Sequence, residues 1–157
     1  MPRRSYKRQP VLTDSLYQSD EVSKLINYIM MDGKRSVSER IVYATLERFS
    51  KEGKDPVRVV RDAIQNVAPK HEVKPRRLGG ASYLVPIEVR AERKIYLALN
   101  WIINAAKTRP NKEFKTFADK LYMELKEASQ NQGQAVNKKL QTEKLADSNK
   151  AFSHLKW

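Results

Sequence analysis

Lys74, Arg76 and Arg77 crowd the run His71-Glu72-Val73-Lys74-Pro75-Arg76-Arg77-Leu78, directly before the pair Gly79-Gly80. Closely spaced fixed cations can neutralise the phosphates of a polyanion and release its condensed counterions. That is binding chemistry and needs no reacting atom. Arg90, Arg93 and Lys94 follow the returning run Ala81-Ser82-Tyr83-Leu84-Val85-Pro86-Ile87-Glu88-Val89. They can extend the same patch, or Glu88 and Glu92 can neutralise them. Arg3, Arg4, Lys7 and Arg8 form another cluster with no acidic residue beside them. Lys107 and Arg109 have a structural reading of their own, at the negative end of a helix macrodipole.

Catalysis has little to work with. His71 and His154 lack metal-ligand spacing and read as exposed, incidental histidines. Ser82 has no nucleophile-elbow context, and the chain contains no cysteine, which excludes thiol catalysis and thiolate metal sites. Gly33-Lys34-Arg35-Ser36 lacks the upstream glycine of a phosphate loop and carries Arg35 where Ser or Thr is required. Glu124 and Glu127 fall beside Lys120 and Lys126 at helical spacing, as solvated surface pairs would. The expectation is a protein without enzymatic activity, cofactor, metal or small-molecule substrate.

The bulk numbers point the same way. Among 157 residues, 31 Lys and Arg face 18 Asp and Glu, a formal charge of +13 that attracts polyanions. The basic opening Met1-Pro2-Arg3-Arg4-Ser5-Tyr6-Lys7-Arg8 lacks the apolar stretch of a secretory signal, and no run is long and apolar enough to span a membrane. A cytoplasmic protein with no membrane partner is expected.

These cations must be positioned by elements that the pattern also predicts. Two β-prone runs meeting at Gly79-Gly80 make a hairpin, and Pro75 and Pro86 confine each run to an edge. Excising Pro75 through Pro86 should then leave the rest folded. Residues 1–18 read as a basic tail that orders on binding. A helix over Asp20 to Asp32 buries Val22, Leu25, Ile26, Ile29 and Met30, is capped by Ser19 or Asp20, and stops at Gly33. Ser36 and Glu39 have the spacing of a capping box for a second helix, with Val42, Leu46 and Phe49 inside. Asp55-Pro56 opens a third, burying Val57, Val60, Ile64 and Val67. The most apolar helix, Glu92 to Thr108, should be the centre of the domain. A fifth runs from Phe114 to Ser129. A weak sixth carries Val136, Leu140 and Leu145, and residues 149–157 are a tail with its aromatics uncovered. The fold class is mainly α, a single-domain bundle of about six helices over 19–148 with one protruding two-stranded hairpin at 71–90. Phe49, Trp101, Phe117 and Phe152 read as packing residues. Tyr83 can stack on a base or pack across the strands.

The opening MPRR, INYIMMDGKRSVSERIVYATLERF, VKPRRLGGASYLVPIEVRAERK, LALNWIINAAKTRP and NKAFSHLKW together resemble the bacterial-type small-subunit ribosomal protein seven family over essentially the whole chain. The resemblance implies a helical bundle with an extended hairpin and a ribosomal location. It implies binding to the 3′ major domain of small-subunit rRNA and nucleation of the subunit head. A hairpin near exit-site tRNA and mRNA is implied too, with ribosomal protein eleven and other head proteins as neighbours. By the same resemblance, Arg3, Arg4, Lys34, Arg35, Arg76, Arg77, Gly79, Gly80, Arg90 and Arg93 are RNA contacts. Leu84 stands where many relatives carry glutamine, and Gln141, Glu143 and Lys144 replace a more basic pattern. The rival reading from charge alone is a DNA-binding architectural module, helices with a basic two-stranded arm.

Overall fold

The computed structural model describes residues 12–155, and helix-start chemistry explains most of its element boundaries. α1 (Asp20–Ile29) begins where the Ser19 hydroxyl accepts the Val22 N–H. α3 (Pro56–Val67) begins where the Asp55 carboxylate accepts from Val57 and Arg58, with proline in the first turn where no N–H is needed. α2 (Arg35–Lys51) departs from expectation. Its cap is Lys34, which makes no side-chain cap bond, and Glu39 is drawn instead to Arg35, Nε to Oε1 at 2.7 Å. The capping box lies elsewhere, in Thr116 and Asp119 at the start of α5 (Phe117–Ser129), three residues later than the expected Phe114. α1 also ends early, because Met30 turns out to an extended ψ of 131° and the corner passes through Asp32 and Gly33 at positive φ.

The hairpin consists of β1 (His71–Leu78) and β2 (Ala81–Glu88), antiparallel, with His71 opposite Glu88 and Leu78 opposite Ala81. Gly79 and Gly80 have φ of 57° and 89°, the left-handed pair that a tight two-residue turn requires. α4 (Ala91–Thr108) follows, then α5, α6 (Gln134–Ser148) and a 3-10 helix, Lys150–Leu155.

One core holds the helices together. Val22, Leu25 and Ile26 of α1 meet Leu46 and Phe49 of α2, Val60 and Val67 of α3, Leu99 and Ile102 of α4, and Leu121 and Leu125 of α5. All are fully buried, each stabilising the fold by about 1.5–3 kcal/mol. The centre is shared between α4 and α5, since α5 packs against α2, α3, α4 and α6. Val59 is buried on α3, while Val57 is half-exposed. α6 buries Ala135, Val136 and Ala146, leaving Leu140 and Leu145 exposed, so small residues rather than the leucines form its contact stripe. Small side chains let α6 lie against α4 and both hairpin strands.

Both ends of the described chain are more tied down than their composition suggests. Asp14 is buried; it accepts from the N–H of Leu16 and Tyr17 and from the Tyr43 hydroxyl at 2.7 Å, which anchors 12–18 to α2. Arg3, Arg4, Lys7 and Arg8 lie outside the described residues. At the other end, Phe152 is not uncovered. Its ring lies 5.3 Å from that of Tyr83, clasping the 3-10 helix to β2. The hairpin is therefore held along β2 as well as by its turn, and Val85 and Pro86 are buried.

Glu124 is not a solvated helix residue. It is fully buried, and its Oε2 accepts from Arg109 Nε at 3.0 Å and Nη2 at 2.5 Å. Its Oε1 accepts the Ala135 N–H at 3.0 Å, giving α6 the N-terminal acceptor that Gly133 cannot offer. Arg109 also donates to Glu127, and Lys120 reaches the Arg109 carbonyl at 2.6 Å. Burial alone would lower the Arg109 pKa, but the hydrogen bonds to Glu127 and Glu124 outweigh it and hold it above the usual arginine value. Arg109 thus joins α4, α5 and α6, a larger role than a macrodipole contact.

Candidate nucleic-acid interface

Strand alternation decides which cations can act together. Glu72, Lys74 and Arg76 share one face of β1, while Arg77 points to the other, opposite Ser82. Val89 leads out of β2 to Arg90, the extended residue (φ −65°, ψ 151°) at which α4 starts. Lys74 and Arg76 from the strand, and Arg90 and Arg93 from the helix start, consequently line a single cleft of about 630 Å³ with Glu72, Ile87 and Glu88. Four cations face two carboxylates there. The positive end of the α4 dipole adds to the excess.

Glu72 organises this cleft. Its carboxylate takes Arg93 Nε at 3.4 Å and Lys74 Nζ at 3.9 Å, with the Glu72 side chain only 14% exposed and Arg93 and Lys74 about half exposed. Ion pairs that open to solvent contribute only about 0–1 kcal/mol, so an incoming phosphate can compete for both cations. Glu72 aims Lys74 and Arg93 into the cleft.

A second feature runs out of the cleft along α4. The Arg93 guanidinium lies 5.0 Å from the centroid of the Tyr96 ring. Tyr96 meets Tyr28 of α1 edge-on, centroids 5.5 Å apart at 82°. Next to Tyr28, Asn27 Oδ1 accepts from Arg35 Nη1 at 3.1 Å. Two basic sites far apart in sequence, the Lys34–Arg35 corner and the hairpin base, are thereby joined by two tyrosines that remain 38% and 39% exposed. Sequence reasoning named neither ring. The available signal was their position, Tyr28 outside the apolar stripe of α1 and Tyr96 at the edge of the α4 stripe beside Leu99 and Ile103, where a large aromatic needs another reason to be.

The remaining expected contacts scatter. Arg77 is exposed on the opposite face of the ribbon, and Gly79 and Gly80 form its exposed turn, where an added Cβ would meet no atom within 4 Å. Their glycine character serves the positive φ, not close approach within the protein. Lys94 is half-buried and does not line the cleft. Tyr83 is engaged with Phe152, which favours packing over base stacking. Phe49 is buried in the core, 4.6 Å from Tyr122, and Trp101 and Phe117 pack against the same core. Among the described residues no helix is long and apolar enough to cross a membrane.

The family defined as ribosomal protein S7p/S5e matches residues 1–150. The chain is 48% identical to small ribosomal subunit protein uS7 of Moorella thermoacetica and 46% identical to that of Halorhodospira halophila, in each case over the full length of both proteins. The uS7 protein of Thermodesulfovibrio yellowstonii is 46% identical, again end to end. Similarity of that extent, with no unmatched region on either side, joins a helical bundle and basic hairpin to one functional class. The chain belongs to the ribosomal protein S7p/S5e family and is a structural, non-enzymatic component of the small ribosomal subunit in the cytoplasm.

Proposed function

We propose that the protein binds the 3′ major domain of small-subunit rRNA early in assembly and nucleates the subunit head. The observation that carries this reading is the cleft where Lys74, Arg76, Arg90 and Arg93 converge from two different elements. Phosphates brought together by a folded RNA junction match cations held at a fixed spacing. A single extended strand does not need that geometry. The deep, narrow major groove of A-form RNA excludes side chains, so recognition rests on junction shape, phosphates and unpaired bases. The Arg3, Arg4, Lys7 and Arg8 cluster adds contacts that form on binding, as do Lys34 and Arg35 at the α2 corner. Arg77, Gly79 and Gly80 at the tip, and Lys94 behind the cleft, serve as outer contacts. The exposed tip is the part available to exit-site tRNA and mRNA, and ribosomal protein eleven and neighbouring head proteins are the protein partners.

Ultraviolet crosslinking of the full chain to 3′ major domain RNA, with mass spectrometry of the adducted peptides, tests the interface. Adducts are expected within 72–96 and around Tyr28 to Arg35. Adducts confined to α3 and α5 would overturn the assignment of this face.

A further inference from the structure

The Tyr28–Tyr96 pair is a stacking site for an unpaired RNA base, we propose, positioned between the hairpin cleft and the α2 corner; this rests on the RNA-binding reading above. Two large rings stand more than one third exposed on the solvent-facing sides of α1 and α4. Core formation does not require them, because the stripes of both helices are complete with Val22, Leu25, Ile26, Leu99 and Ile102. Their edge-to-face contact fixes both rings at little further entropic cost, so a ligand meets a preformed surface. Arg93 covers part of this surface with a planar guanidinium 5.0 Å from the Tyr96 centroid, and bases stack on such planes as well as on rings. Charge lies at both ends, with Arg90 and Arg93 on one side and Arg35, oriented by Asn27, on the other. A nucleotide whose phosphates are held by these cations has its base directed at the rings between them. Duplex RNA, with its bases paired and stacked inside, cannot use the site. The ligand class is therefore a single-stranded or bulged nucleotide.

Stacking and charge neutralisation separate by salt. Binding of the full chain to 3′ major domain RNA is measured from about 100 to 400 mM salt for wild type, Tyr96→Ala, Tyr96→Phe and Tyr28→Ala. Loss of one stacking ring is expected to weaken binding roughly ten-fold for each alanine variant, with the slope of log K against log salt unchanged. Tyr96→Phe keeps the ring and should stay within about two-fold of wild type. Tyr96→Ala binding as wild type does would overturn the stacking site while leaving the cleft reading intact. So would equal losses in the alanine and phenylalanine variants, or a flattened slope. Failure of wild type to prefer this RNA overturns both.

Discussion

Replacing Lys74, Arg76, Arg90 and Arg93 together by glutamine is expected to weaken binding to 3′ major domain RNA at least ~100-fold near physiological salt. The salt slope should flatten by about three, since each neutralised phosphate contributes roughly 0.7–0.9 to it. The four side chains line one cleft, so their effect should concentrate there. A control that neutralises Lys51 and Lys54, exposed residues at the far end of α2, removes charge without touching the cleft. Its expected change is within about three-fold, through the long-range field alone. Filter binding across a salt series reads both quantities. Equal losses in the two variants would mean that total charge, not the cleft, controls binding. Folding should survive the quadruple change, because the lost cations are about half exposed and glutamine at 74 and 93 still offers an amide donor to Glu72. Thermal denaturation of the same samples checks that point.

Glu124→Ala is expected to destabilise the fold by about 1–3 kcal/mol, the cost of removing one of the two carboxylates on a partly buried guanidinium that keeps Glu127. Arg109 is only 12% exposed, so water cannot take over the lost carboxylate, and Ala135 N–H loses its acceptor as well. Against a typical domain stability of about 5–15 kcal/mol, that is a large fraction. Urea unfolding of Glu124→Ala, Arg109→Met and the double variant resolves the coupling. The double variant should be more stable than the sum of the single losses predicts, since it removes both charges. Additive losses, or a Glu124→Ala change below about 1 kcal/mol, would show that the three-helix junction does not depend on this pair.

Much of the architecture was legible because apolar periodicity and turn chemistry are local. Gly79-Gly80 announced the hairpin, Asp55-Pro56 announced α3, and the helix count and order followed from stripes such as Val22, Leu25 and Ile26. What escaped depends on contacts between distant segments. Glu124 looks like any helical surface glutamate until α4, α5 and the start of α6 enclose it. Glu39 sits at capping-box spacing from Ser36, yet Arg35 competes for its carboxylate and wins through a charge-assisted bond at 2.7 Å. The register of the ribbon decided the site in the same way. Lys74, Arg76 and Arg77 are neighbours in sequence, but alternation sends Arg77 to the other face and leaves Arg90 and Arg93 to complete the cleft. Tyr28 and Tyr96, nearly seventy positions apart, could be joined only by the packing of α1 on α4.

The central claim is selective recognition of one folded RNA, and competition at about 200 mM salt tests it most directly. Nonspecific phosphate contacts are substantially weakened at that ionic strength. Labelled 3′ major domain RNA bound to the full chain is challenged with unlabelled 3′ major domain RNA, a scrambled RNA of equal length, and duplex DNA. The account predicts that only the ribosomal fragment displaces the label at comparable concentration. Equal displacement by all three competitors would contradict it and reduce the basic face to a generic polyanion surface.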